Sequence, residues 1–152
     1  MPFKNPFSHV KKSTPVRAKR KRPSRPKEKW DVEDAGDIRE MMLDLVTKLD
    51  MKHIDVERVY CVRSGGSTAR AYARVWGLSR IFQITAGYKA TYVIEVLTQH
   101  FDKLNYEAQR KVIIHELLHI PKTFSGALLS HKGRYHRVDD VEVEKLYAML
   151  ED

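Results

Sequence analysis

The sequence predicts an α+β domain over residues 31–152, preceded by a basic arm over residues 1–30. Two observations predict it. Lys and Arg crowd one end of the chain, and beyond them helical and strand patterns succeed one another with no internal repeat. The expected order is arm, helix, three or four strands, helix, loop, helix. At 152 residues the chain is one domain's worth, long enough to bury a core if most of it folds.

Residues 1–30 hold eleven Lys and Arg against one Glu, a balance of +10. Residues 31–152 hold seventeen basic against nineteen acidic side chains, a balance of −2, so the whole-chain charge of +8 belongs to the arm. Five of the six prolines also fall there, and no apolar period is sustained, so the arm cannot fold alone. In "HVKKSTPVRAKRKRPSRPKEK" the cations are spaced by Ser, Thr and Pro, which keeps the chain extended. Such an arm can lie along phosphates and gain affinity by counterion release without reading sequence. The expected contacts are Lys11, Lys12, Arg17, Lys19, Arg20, Lys21, Arg22, Arg25, Lys27 and Lys29. RNA is the expected partner, above all a ribosomal particle between whose helices a basic extension can thread. A nuclear-localisation-like or solubilising tail, or a contact with anionic lipid, are the alternatives. No run approaches the roughly eighteen apolar residues of a membrane span, and "MPFKNPFSHVKK" lacks a secretory apolar stretch. The chain therefore reads as soluble and cytoplasmic.

Within the domain, "WDVEDAGDIREMMLDLVTKLD" sets Ile38, Met41, Met42, Leu45, Val46 and Leu49 at helical spacing, with acidic residues in the first turn. The stripe is a packing face, not a cofactor box. From Ile54 to Arg63 the run "IDVERVYCVR" has strand composition and stops at Gly65 and Gly66, which supply a turn. No P-loop pattern follows, which argues against a nucleotide site. In "TARAYARVWGLSRIFQITAG", "RVW" and "RIFQI" look like strands broken at Gly77, so one or two short strands are expected. Thr91–Leu97 is the clearest strand in the chain. Asn105 can cap the next helix, which continues to Ile120 until Pro121 stops it. Val138, Val141, Leu146 and Leu150 fit one face of a closing helix. Cys61 is the only cysteine, so an intramolecular disulfide is impossible and a cysteine-based metal site lacks ligands. It is expected as a buried thiol in a strand.

The chemistry concentrates in "IIHELLHIPKTFSGALLSHKGRYH", residues 113–136. His115 and His119 are four residues apart, so on a helix their imidazoles share a face and can share one Zn²⁺. Glu116 lies about 100° round from His115, where its carboxylate can approach a metal-bound water as general base without being a ligand. The plain alternative is two core histidines held by other partners. Val112, Ile113, Ile114, Leu117 and Leu118 bury the helix, so histidines there need partners of some kind. A catalytic zinc takes three protein ligands and keeps one position open. His131 follows His119 after eleven residues and His136 after sixteen, both in a loop that could fold back over the helix. The HExxHxxGxxH spacing is absent, because Pro121 breaks the helix and no His stands five or six residues after His119. Tyr135 and His136 lie near in sequence and could serve as oxyanion donor, with an ordinary loop aromatic as the favoured alternative for Tyr135. His9, His53 and His100 have no ligand spacing with one another.

"RVYCVRS", "RVWGL", "YVIEV" and above all "HELLHIPKTFSG" followed by a His resemble the small HExxH metallopeptidase family of phage and archaeal genomes, related in motif to the SprT-like zincins. The resemblance spans roughly Val56 to Leu150. It implies a compact zincin-like fold, a small mostly antiparallel sheet packed on the HExxH helix. It also implies zinc held by His115, His119 and a downstream histidine, with Glu116 as base. "SGALLSH" follows the family's pattern of a Gly-containing loop leading to a His, which favours His131 as third ligand and keeps His136 in reserve. The implied activity is zinc-assisted peptide hydrolysis, with a protein or peptide as substrate.

Two functions from different classes follow. In one, the chain is a zinc peptidase that its arm holds near nucleic acid. In the other, it is a ribosome- or RNA-associated binding protein whose zinc is structural. Glu116 separates them best, since a purely structural site has no need of a general base beside the metal.

Overall fold

The structure is a computed structural model that describes residues 30–132 and 138–151; the ten basic residues expected to contact phosphate, Tyr135 and His136 lie outside them. Asp31–Asp34 forms strand β1 and Gly36–Lys48 helix α1. The helix turns Ile38, Met42 and Leu45 inward at the spacing the sequence sets. Asp55 caps a 3-10 turn over Val56–Arg58, accepting from the Glu57 N–H, and strand β2 runs from Val59 to Gly65. The strand therefore starts five residues later than the expected Ile54. Arg63 on β2 fastens α1 to the sheet through a two-pronged bond to Asp37, at 2.8 and 2.9 Å.

Strand β3 covers Ala73–Gly77, as the "RVW" composition suggests. "RIFQI" is a helix, not a strand: α2 spans Arg80–Ala86. At Gly77 any Cβ would run into the Gly126 carbonyl, and the pairing with the neighbouring strand ends one residue on, where the Leu78 N–H donates to the Thr91 carbonyl at 2.9 Å. The chain instead closes local bonds, with Ser79 starting the turn and Gly87 ending it at φ 73°. Tyr92–Leu97 is strand β4, and Thr98–Phe101 adds a short helix, α3, that the composition did not announce. Helices α4, Tyr106–Leu118, and α5, Asp140–Ala148, follow.

The four strands form one mixed sheet in the order β1-β2-β4-β3. The outer pairings are antiparallel and the central β2–β4 pairing is parallel, so the α+β class with a mostly antiparallel sheet holds. Val59, Cys61, Ile94 and Val96 meet Ile38, Met42 and Leu45 of α1 and Ile113, Ile114 and Leu117 of α4 in one buried cluster. Cys61 sits there as expected, and burial pushes its thiol up to about 11.

The opposite face is organised round Glu95, whose side chain is buried. Its carboxylate accepts from Ser64 Oγ at 2.6 Å, Arg74 Nε at 2.6 Å and Trp76 Nε1 at 2.7 Å. Trp30, the last residue of the expected arm, adds a longer bond at 3.4 Å. Burial alone would raise the Glu95 pKa, but these donors outweigh it and hold the carboxyl at about 2. No helix among the described residues is long and apolar enough to cross a membrane.

Candidate metal centre and active-site cleft

Helix α4 starts where Asn105 Oδ1 accepts the Ala108 N–H at 2.8 Å. It ends at Leu118 with His119 as C-cap, two residues short of the expected Ile120. The buried side of the helix turns Ile113, Ile114 and Leu117 into the core and, one step round, Glu116 and His119 into a cleft. His115 sits half-buried one turn above His119.

The loop after Pro121 brings His131 back over this turn. His115 Nε2 lies 2.9 Å from His131 Nε2 and 3.3 Å from His119 Nε2. The three histidines offer one ligand atom each, all within 4.8 Å of one another. The structure thus gathers the two helix histidines and the sequence's preferred third candidate.

Three further contacts hold that loop, and none was legible in the sequence. Tyr92 Oη on β4 accepts the Gly126 N–H and donates to the Ala127 carbonyl, both at 2.8 Å. Gln83 Nε2 on α2 donates to the carbonyls of Leu78 and Ser125, also at 2.8 Å. The backbone then makes a reciprocal clasp: Leu129 N–H donates to the His119 carbonyl at 2.7 Å, and His119 Nδ1 contacts the Leu129 carbonyl at 2.6 Å. Gly126 adopts φ 90° among these bonds, a conformation that L side chains resist.

The clasp fixes the chemistry of His119. A carbonyl can only accept, so Nδ1 carries the proton and Nε2 presents its lone pair to the other two rings. A backbone carbonyl on the far nitrogen is the usual support of a metal-binding imidazole. Burial, reinforced by the neighbouring histidines, holds His115 and His119 below the ordinary histidine pKa, which keeps the rings neutral. Three imidazoles whose nitrogens crowd one point are a donor set that suits a metal ion.

Glu116 lines the same cleft and is 7% exposed. Burial pushes its carboxyl up to about 7 against a hydrogen bond from the Val75 backbone. The cleft encloses about 760 Å³ between β3, α4, the loop and α5. β3 borders it at the edge of the sheet, through Ala73 and Val75. On the other wall, Lys111 joins Glu107 and Glu144 at 2.7 and 3.0 Å. His53 and His100 stand outside the histidine group.

A family model described as "Putative phage metallopeptidase" matches residues 30–150. Comparison with curated proteins and with solved structures gives no match. The matched span covers the sheet, the cleft and all three clustered histidines, and the chain belongs to this phage metallopeptidase family.

Proposed function

We propose that the chain is a zinc-dependent peptidase in which His115, His119 and His131 hold zinc and Glu116 is the general base. The observation that carries the reading is the meeting of three imidazole nitrogens and one buried carboxylate in a single cleft. Imidazole suits zinc, and three protein donors is the number found at catalytic rather than closed structural sites. Zinc bound there supplies Lewis acidity, acidifying water and polarising a carbonyl.

The chain's own residues do the rest. The edge of β3 can take an extended peptide as an added strand through main-chain hydrogen bonds, laying it along the cleft. Glu116 takes the proton of the attacking water and passes it to the leaving amine. The Leu129 carbonyl holds the Nδ1 proton of His119 and so keeps the other nitrogen available as a donor.

Glu116→Gln tests the assignment, with zinc content and hydrolysis of a quenched fluorescent peptide as readouts. The expected result is zinc bound as in the wild type and hydrolysis lowered by about 10²-fold or more. Wild-type, zinc-dependent turnover by the variant refutes the enzyme reading.

The composition of residues 1–30 favours a second property, nucleic-acid binding through the arm, with RNA as the first partner to test. Deleting residues 1–29 is expected to weaken binding to RNA or ribosomal particles and flatten its salt dependence, with zinc content unchanged. Unaltered binding by the truncated chain would defeat that assignment.

A further inference from the structure

Helix α2 is built inside out. Gln83 is its one half-buried residue, and its side-chain amide donates to the carbonyls of Leu78 and Ser125, both at 2.8 Å. The apolar residues face the other way: Ile81, Phe82 and Ile84 are 61%, 55% and 68% exposed, and no residue of the helix is fully buried. A surface helix ordinarily turns its apolar stripe to the core and its polar side to water. Three large apolar side chains held out by a polar anchor mark a place that meets another molecule.

Charge narrows the choice of partner. Arg80 opens the helix and Lys89 lies just past its closing Gly87; both are exposed, and among the described residues neither makes an ion pair. No Asp or Glu stands between Arg63 and Glu95, so no carboxylate of this segment offsets them. Beside Lys89 a hollow of about 440 Å³ opens between Trp76, Leu78, Tyr88 and Val93. Trp76 and Tyr88 at its rim are exposed.

We propose that α2 docks the protein on an anionic bilayer, with Ile81, Phe82 and Ile84 entering the acyl boundary and Arg80 and Lys89 meeting lipid phosphates. A lipid surface supplies hydrocarbon and negative charge side by side, which is the pairing this knob presents. Rings such as Trp76 and Tyr88 suit headgroup depth, and the mostly apolar hollow between them can take an acyl chain. A second copy of the chain docked through this knob would set Arg80 and Lys89 against their own like charges. A nucleic-acid strand supplies phosphates but no hydrocarbon for aliphatic isoleucines. A groove on a protein partner grips a helix by residues spread over about two turns or more, and α2 has only seven residues.

Thr85 is exposed on the same helix and Cys61 is buried, so Thr85→Cys carries the one accessible thiol for an environment-sensitive fluorophore. The test titrates the full-length labelled protein with mixed phosphatidylglycerol and phosphatidylcholine vesicles, with phosphatidylcholine vesicles, and with polyphosphate, which offers charge without hydrocarbon. Anionic vesicles are expected to shift the emission to the blue, neutral vesicles to do so only at about tenfold more lipid, and polyphosphate not at all. Ile81→Ser with Ile84→Ser, both at exposed positions, is expected to keep the melting temperature of the parent and lose the shift. Arg80→Gln with Lys89→Gln is expected to weaken binding to anionic vesicles about tenfold and leave binding to neutral vesicles unchanged. No shift with anionic vesicles, an equal shift with polyphosphate, a shift that survives in the serine variant, or unchanged anionic-vesicle binding in the glutamine variant overturns the proposal. Vesicle binding that leaves the fluorophore in water assigns the contact to another part of the chain and overturns it as well. A shift produced by raising the protein concentration alone, and lost in the serine variant, assigns the knob to a second copy and also overturns it.

Discussion

Replacing Tyr92 with Phe removes one oxygen and leaves the packing in place. The ring is fully buried, and its edge contact with Phe124, at a centroid distance of 4.9 Å, does not need the hydroxyl. What disappears is the pair of 2.8 Å bonds to Gly126 and Ala127 that ties β4 to the loop carrying His131. An unpaired buried N–H costs about 1–3 kcal/mol, and loss of the second bond costs about 1 kcal/mol more. The expected destabilisation is therefore about 2–4 kcal/mol, seen as a lower urea midpoint with an unchanged slope. Zinc affinity, measured by competition with a chelator, is expected to fall by up to about tenfold. The fall is bounded because His115 and His119 are placed by α4, and only His131 travels with the loop. A variant with wild-type urea midpoint and wild-type zinc affinity would refute the reasoning, since the loop would then be held without this hydroxyl.

Glu95 makes stability depend on acid. Its carboxyl titrates at about 2 in the fold against an ordinary 4.5, so about 3 kcal/mol is fully present above the unfolded pKa and is lost as pH falls through 4.5 toward 2. Glu95→Gln is expected to flatten that part of a stability–pH curve from urea titrations, and an identical slope in the variant would count against it. Gly77→Ala drives a Cβ into the Gly126 carbonyl and is expected to cost about 2 kcal/mol or more, measured as a lower melting temperature. A variant melting with the wild type would mean that the two segments separate freely. Cys61, 2% exposed with its thiol pushed up to about 11, is expected to react with a thiol reagent only on unfolding. Labelling of the native protein at the rate of a free thiol would contradict its placement.

What could be read from the sequence was what local pattern determines. The Ile38–Leu45 stripe, the β-branched run of β4 and the Asn105-capped HExxH helix each carry their own signal, and each formed. β1 carries none: three of the four residues of "DVED" are acidic and all four are exposed, and it is a strand because β2 supplies its ladder. "RIFQI" misleads because its strand composition is overridden by local helical bonds that begin at the Ser79 carbonyl, after the sheet pairing has ended at Leu78. His115, Glu116 and His119 follow from spacing, whereas the preference for His131 over His136 came from the family resemblance. Tyr92, Gln83 and Leu129 escaped notice because a strand Tyr, a helix Gln and a loop Leu acquire these roles only when the loop folds back.

The clasp between His119 and Leu129 sets an order of events. Two of the three donors exist as soon as α4 forms, since His115 and His119 are one turn apart. The third arrives only when the strap closes on the helix end, and the backbone pairing that closes it also fixes the tautomer of His119. Under the proposed zinc assignment, capture is expected to run from the helix outward and release from the strap inward. On the same assignment, metal release is expected to wait on the opening of the two short hydrogen bonds between residues 119 and 129. The intervening segment is tied as well, by Phe124 against Tyr92 and by the Ser125 carbonyl to Gln83, so the ring closed at residues 119 and 129 carries its own anchors.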